Sequence, residues 1–232
     1  DSKEKWRKAC FDHFTAMWDF DILDASYDLL FCSRDRFGIK PFYFYENEQV
    51  FAFASEIKAL LALGIPSSVN YNRLMDYLIV GITDHTEDTF LQDIQQLLPG
   101  HLMVIDLKNR NINTEKYFDL ADHIKMASNT NDYVERLRKS VRIHLRSDVP
   151  VGTCLSGGLD SSIVAALAAS FNRENGNDHF SAVTGRSESP DNDEIQFARQ
   201  VVQHCRLDWH VASPVYKDFA KHIEECLWFQ EE

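Results

Sequence analysis

Residues 153 to 162 read TCLSGGLDSS: two adjacent glycines and an aspartate among serines, between an apolar run and an alanine-rich one. Those residue types suit an anion. Gly157 and Gly158 let the backbone come close to a ligand with no Cβ in the way. If a helix opens after them, its first amides are unpaired donors and its dipole adds about half a positive charge. The hydroxyls of Ser161 and Ser162 can bond a phosphate oxygen or cap the helix. Asp160 is the odd member, because a carboxylate beside a phosphate is repulsive unless a cation lies between them. That makes Asp160 a candidate Mg²⁺ ligand, with the ion also held by the phosphates of the ligand. The bland alternative is a strand-to-helix turn in which Asp160 or Ser161 caps the helix. Two other anion loops are excluded: no Lys follows the glycines as GxxxxGK[ST] requires, and GxGxxG does not occur here.

Other reactive residues give weaker signals. The cysteines at 10, 32, 154, 205 and 226 are odd in number and form no CxxC pair, so neither a disulfide framework nor a zinc site is indicated, and most are expected to be small buried apolar residues. The nine histidines are scattered along the chain and are expected to be surface or hydrogen-bonded structural residues. Asp19 and Asp21, two apart, are expected on one solvated strand face, and Arg34 and Lys40 are expected to be structural rather than an anion site. Glu194 in an acidic first turn complements a helix dipole. A formal net charge of -12 repels nucleic acid and anionic membrane, though a polyphosphate can still be held by local dipoles or a metal. No apolar stretch approaches the roughly 18 to 20 residues that cross a bilayer, and the first residues carry no signal-peptide core. The reading is a soluble, cytoplasmic protein.

The elements that must position these residues fall into two halves. From about 14 to 118 short apolar and aromatic runs predict strands at 29–35, 49–55 and 101–107. Gly38 and Pro41 mark one turn and Pro99-Gly100 another. The alternation of Phe51 and Phe53 with Val50, Ala52 and Ala54 predicts a strand covered on both faces. One helix interrupts at 71–80, with Asn70 as N-cap and Leu74, Tyr77 and Leu78 at helical spacing. After a polar stretch at 119–131, helix and strand alternate. Helices are predicted at 132–145, with Tyr133, Leu137, Val141 and Leu145 at four-residue steps and a basic outer face, at 161–170, at 193–205 with Asp191 or Asn192 as cap, and at 215–229. Strands are predicted at 149–155, 179–185 and 208–213. Such alternation argues for a parallel sheet with helices on both faces, and TCLSGGLDSS then lies at the first strand-to-helix turn, where open parallel sheets bind ligands.

The residues also carry a resemblance. SGGLDSS resembles the SGGxDS loop of N-type ATP pyrophosphatases, and the surrounding RLRKSVRIHLRSDVPVGTCLSGGLDSSIVAALA is similar to the synthetase domain of glutamine-dependent asparagine synthetases. In the first half RDRFGIKPFYF, FASEIKALL, TFLQDIQQLLPGH and EKYFDL resemble the later part of the class II glutamine amidotransferase domain of the same enzymes. The resemblance implies an α/β chain, α+β in its first half. Residues 1–120 would belong to an amidotransferase β-sandwich of N-terminal-nucleophile hydrolase type, 121–131 would be a linker, and 132–232 part of a parallel-sheet, adenine-nucleotide α-hydrolase-like domain. It implies an enzyme that adenylates the aspartate side chain with ATP and Mg²⁺ and amidates it with ammonia from glutamine, with a homodimer as an open option. Ser156, Gly157, Gly158, Asp160, Ser161 and Ser162 would hold the pyrophosphate part of ATP, Asp160 through Mg²⁺. Leu155 and Val183, at the ends of adjacent strands, would contact the adenosine part.

Some of the family's pattern is absent. The chain opens on Asp1 where the amidotransferase nucleophile is an N-terminal cysteine, Cys10 resembles a position well downstream of it, and the family's glutamine-binding segment, with its Asn-Gly pair, is missing. Nor does a second phosphate loop follow LWFQEE. The expectation is an internal piece of a longer enzyme, inactive alone, with no catalytic residue of its own to name. Two other functions compete: a relative that uses the same adenylation to close a β-lactam or peptide ring, and a non-catalytic nucleotide-binding protein.

Overall fold

The computed structural model describes residues 10–66, 68–124, 130–189 and 193–231. The chain forms two compact units, Asp1–Ile124 with Leu227–Glu232, and Lys125–Cys226.

The first unit begins with a 3-10 turn, Cys10–His13, and continues through β1 (Asp19–Asp24), β2 (Leu29–Arg34), β3 (Tyr43–Glu46), β4 (Phe51–Ala54), α1 (Ile57–Ala62), α2 (Tyr71–Val80), β5 (Ile94–Gln96), β6 (His101–Asp106), β7 (Asn111–Lys116) and α3 (Leu120–His123). One antiparallel sheet has the order β1-β2-β6-β7 and a second the order β4-β3-β5. Alternation along the strands gives each sheet an inner face. Cys32, Met103 and Ile105 of the larger sheet pack against Phe42, Phe44 and Leu97, with Phe51 and Phe53 joining them. Ala52 and Ala54 point the other way, onto Ile57 and Leu60 of α1, so β4 is covered on both faces as its alternation predicts. Across the larger sheet Phe31 and Leu102 pack on Phe11 and Trp18. The strands β3, β5 and β7 were not legible as separate runs: NINTEK (β7) is polar throughout apart from Ile112, and IQQ (β5) is only three residues long.

Helix α2 departs from expectation. Asn70 caps it as predicted, its side chain accepting from the amides of Asn72 and Arg73. Its apolar residues are not buried: Leu74 is only partly covered, Leu78 is 66% exposed, and no residue of the helix is buried. The polar side is turned toward the body, where Arg73 Nη1 donates to Thr86 Oγ1 at 2.9 Å and Tyr77 stacks edge-on with Phe90.

The second unit runs α4 (Thr130–His144), β8 (Gly152–Cys154), α5 (Leu159–Glu174), β9 (Ser181–Gly185), α6 (Ile195–Cys205), β10 (Asp208–Ala212), a 3-10 turn at Tyr216–Asp218, and α7 (Phe219–Gln230), the helix whose last residues belong to the first unit. The sheet is parallel, in the order β8-β9-β10. Its core joins Leu155, Ala182 and Leu207 to Val141 of α4, Ala165, Ala168, Ala169 and Phe171 of α5, and Ala198 and Cys205 of α6. Arg138 and Arg142, from the basic side of α4, lie over the Phe171 ring, while Tyr133 is 60% exposed rather than inward.

The expected cover on both faces of this sheet is not found. Strands taken in sequence order, with right-handed crossovers, place consecutive helices on one face. Cys154, Val183 and His210, in register on the other face, are all exposed among the described residues. The cap expected at Asp191 or Asn192 lies outside the described residues. Instead the Asp193 carboxylate accepts from the Ile195 amide at 3.2 Å.

Candidate functional site

The loop after β8 is held at its root and open at its tip. At the root Leu155 is buried, 1% exposed. Its amide donates to the Val183 carbonyl at 2.8 Å, and its carbonyl accepts from Thr184 Oγ1 at 2.7 Å. Thr184, itself buried, accepts from Trp209 Nε1 at 2.8 Å, so one hydroxyl ties all three strands to the start of the loop. Sequence reasoning missed Thr184, because a threonine in a strand is ordinary until its neighbours are known. The Leu155 side chain lies in the core and its two backbone polar groups are engaged within the protein. Val183 is 46% exposed on the bare face of the sheet, with its carbonyl taken by Leu155. The structure thus places Leu155 and Val183 side by side, but only Val183 offers its side chain to solvent.

The two glycines differ. Gly157 has φ +95, the left-handed region that favours glycine. A Cβ there would lie 2.6 Å from the Ala198 nitrogen, 2.9 Å from Phe197 Cβ and 3.1 Å from the Glu194 carbonyl oxygen. Gly158 has extended backbone, φ -65 and ψ 166, and a Cβ there would meet only Ser156 Oγ, at an ordinary 3.4 Å. Within the protein, close approach requires a glycine at 157 and not at 158.

Gly158 is the N-cap of α5, with no side-chain cap, and the helix begins at Leu159, two residues earlier than predicted. Neither Asp160 nor Ser161 caps it, because both lie inside the first turn. The hydroxyls of Ser161 and Ser162 instead donate back to the Gly158 carbonyl, at 3.2 and 2.7 Å. Ser156 Oγ accepts from the Gly158 amide at 3.3 Å and lies 3.0 Å from Ser161 Oγ. The amides of Ser156, Gly157, Leu159, Asp160 and Ser161 have no acceptor among the described residues. The exposed Asp160 carboxylate likewise has no partner among them. A cluster of open donors at a helix start, beside one free carboxylate, can take an anion together with a cation. No group of three or more His, Cys, Asp or Glu among the described residues could hold a metal by itself. Asp160 therefore suits an ion such as Mg²⁺ that takes one or two carboxylates and completes its shell with phosphates and water.

The other candidates are structural. Arg34 is 7% exposed; its Nε donates to the Lys40 carbonyl at 2.8 Å, Nη1 to Gln96 Oε1 at 2.9 Å and the Leu97 carbonyl at 2.7 Å, and Nη2 to the Gly38 carbonyl at 3.0 Å. Burial lowers its pKa from the ordinary arginine value, against Tyr43 and Asp35, which raise it. From the same turn Asp35 accepts from the amides of Phe37, Ile39 and Lys40. Asp19 accepts from Ser55 Oγ at 2.7 Å on an edge strand, where Asp21 is exposed. Glu194 is exposed and contributes its carbonyl, not its carboxylate, to the start of α6. None of the five cysteines forms a disulfide among the described residues. Cys32 and Cys205 are buried, the Cys32 thiol pushed up to about 12 by burial and then by Asp21, whereas Cys154 and Cys226 are exposed, against the expectation that most would be buried. No helix among the described residues is long and apolar enough to cross a membrane.

Comparison with known sequences decides the family. The glutamine amidotransferase domain matches residues 2–118, half of the chain, and the asparagine synthase family matches 132–232. The chain belongs to the glutamine-dependent asparagine synthetase family. Within this family of ligases it is 32% identical to a putative asparagine synthetase 2 of Methanocaldococcus jannaschii, over 96% of this chain and 44% of that protein. Against asparagine synthetase 3 of Bacillus subtilis the identity is 29%, over 96% of this chain and 38% of the relative. The amidase chyE of Penicillium rubens is 30% identical, over 94% and 34%. The chain thus spans less than half the length of these relatives. The amidotransferase match falls on the unit with two antiparallel sheets, and the synthetase match on the α/β stretch that contains the open loop.

Proposed function

We propose that the loop from Leu155 to Ser162 binds the pyrophosphate part of ATP in a ligase that converts aspartate to asparagine. The observation that carries this reading is the set of five amides around Gly157 and Gly158 left open among the described residues, next to a carboxylate with no partner among them. Ser156, Gly157, Gly158 and the first turn of α5 would cradle the phosphates, and Asp160 would share Mg²⁺ with them. The ion would neutralise charge that builds on the pyrophosphate leaving group when the aspartate carboxylate attacks the α-phosphorus, and the fixed amides would do the same without reorganising. Ser161 and Ser162 would release the Gly158 carbonyl to bond phosphate oxygens, and Val183 would pack against the adenosine.

In this reading residues 1–120 belong to the amidotransferase part that supplies ammonia from glutamine, 121–131 link it to the synthetase part, and 132–232 carry the nucleotide loop. The substrates are then aspartate, glutamine and ATP, all cytoplasmic solutes. Aspartate-dependent exchange of labelled pyrophosphate into ATP tests it on the whole protein. Exchange with aspartate is expected; exchange only with another carboxylate would replace asparagine synthesis by the related ring-closing or amidating chemistry. ATP binding without any exchange would leave a nucleotide-binding protein.

A further inference from the structure

Gly157 raises a question that ligand binding does not answer. Its missing Cβ is not replaced by space for an anion: that position is filled by the first turn of α6, with the Ala198 nitrogen at 2.6 Å, Phe197 Cβ at 2.9 Å and the Glu194 carbonyl oxygen at 3.1 Å. Two of these three atoms are backbone, so they yield only if the helix moves. The turn they belong to is itself fixed. The Glu194 carbonyl accepts from the amides of Phe197 and Ala198, at 3.0 and 3.3 Å, Asp193 caps Ile195, and Arg186 pairs with Asp193 at 3.2 Å. Ala198 is fully buried, in the same core as Leu155 and Ala165.

We infer that the first turn of α6, Glu194 to Ala198, is a back wall that fixes the conformation of the loop, and that Ala198 is a positioning residue for the ligand of the loop. This rests on the reading that the loop takes a polyphosphate. The chain of cause runs from the Ala198 side chain, whose size sets how closely α6 seats on the core, to the α6 backbone and from there to Gly157. Gly157 sits between the open amide of Ser156 and those of Leu159, Asp160 and Ser161. If the wall shifts, Gly157 loses the surface that fixes it and these donors no longer converge, and preorganised convergence is what makes them a site. The inference assigns the two glycines different partners. Gly157 answers to α6, while Gly158 faces no wall and leaves its space to the ligand.

The experiment compares Ala198→Val with Cys205→Met, which overpacks the same core at the far end of the same helix. Binding of magnesium pyrophosphate to the whole chain is measured by calorimetry, with thermal unfolding alongside. Both variants should lose stability to a similar degree, and only Ala198→Val should weaken pyrophosphate, by tenfold or more. Equal affinity in the two variants would overturn the inference. If Ala198→Val does not fold, Ala198→Ser adds one atom at the same place and should still weaken pyrophosphate several-fold relative to Cys205→Met; no difference would count against the wall. A second pair separates the wall from backbone strain. Gly176 has a similar φ, +81, but nothing within 4 Å of its would-be Cβ. Gly157→Ala should therefore destabilise far more than Gly176→Ala, and equal losses would refute the wall. Failure of the unaltered chain to bind magnesium pyrophosphate would instead overturn the reading of the loop, and this inference with it.

Discussion

Two turns of this chain have similar ingredients and opposite chemistry. Each follows a strand and contains a glycine at positive φ and an aspartate: Asp35 to Lys40 after β2, and Ser156 to Ser161 after β8. In the first, the Asp35 carboxylate takes three loop amides and the Arg34 guanidinium takes the Gly38, Lys40 and Leu97 carbonyls. In the second, five amides and the aspartate have no partner among the described residues. A loop that saturates its own polar groups contributes to the fold; one that leaves them open at a helix start has donors to give to a ligand. Residue type alone does not separate them, since both contain a glycine and an aspartate. What differs is where the carboxylate points.

The largest effect that would break this comparison is at Arg34. Arg34→Met leaves four acceptors unmet, two of them buried, and should cost about 3 kcal/mol or more, read as a lowered urea midpoint of the first unit. Pyrophosphate affinity of the second unit should not change; a stable variant would show that the first turn is not held by its own side chains. Asp160→Asn should do the reverse. With no protein partner to lose, stability should change by less than about 0.5 kcal/mol. Magnesium-dependent affinity for pyrophosphate should fall by about 1.5–3 kcal/mol, roughly ten- to a hundredfold, by calorimetry. Unchanged affinity would refute the metal role.

The parts of this contrast that could be read from the sequence are the local ones. The strand-to-helix turn at SGGLDSS, the alternation along β4 and the Asn70 cap each depend on residues within a few positions of one another, and each is present in the structure. What was not legible depends on contacts far apart in the chain. The atoms that crowd Gly157 belong to Glu194, Phe197 and Ala198, at the start of a helix far along the chain. The hydroxyl of Thr184 matters only because Leu155 and Trp209 flank it, and Arg34 only because Gln96 and Leu97 pass beside it. Periodicity misled for α2, whose apolar residues no other described element buries, and alternation misled for the parallel sheet, where strand order decides which face the helices cover.

A smaller effect sharpens the closed side of the comparison. Tyr117 donates its phenol to the Arg34 carbonyl at 2.6 Å, and burial pushes its pKa up to about 12, from 10.0. A folded-state pKa above the unfolded value favours the protonated form, so the contribution to stability is complete below about pH 10 and is lost as pH rises toward 12. Tyr117→Phe should remove a hydrogen bond, at about 0.5–1.5 kcal/mol near neutral pH, and should flatten the fall in stability between pH 10 and 12. An unchanged alkaline slope in chemical denaturation would mean that the phenol is not held as described.

The smallest effect tests the idea most directly, because it converts one kind of terminus into the other. Asn70 caps α2 with its own side chain, and Asn70→Ala should cost about 1 kcal/mol. Gly158 occupies the same position on α5 without a side chain, has extended backbone that any residue adopts, and has room for a Cβ. Gly158→Asn should therefore fold, and its carboxamide should accept from the amides of Asp160 or Ser161. The gain in stability should be only a few tenths of a kcal/mol, since glycine is itself a tolerable cap. The same hydrogen bond would occupy donors that the ligand needs, so pyrophosphate affinity should fall as the thermal midpoint rises. Stability and binding moving in opposite directions at one position is the signature of a helix start left open for a ligand. If Gly158→Asn leaves affinity intact, those amides are not where the anion sits.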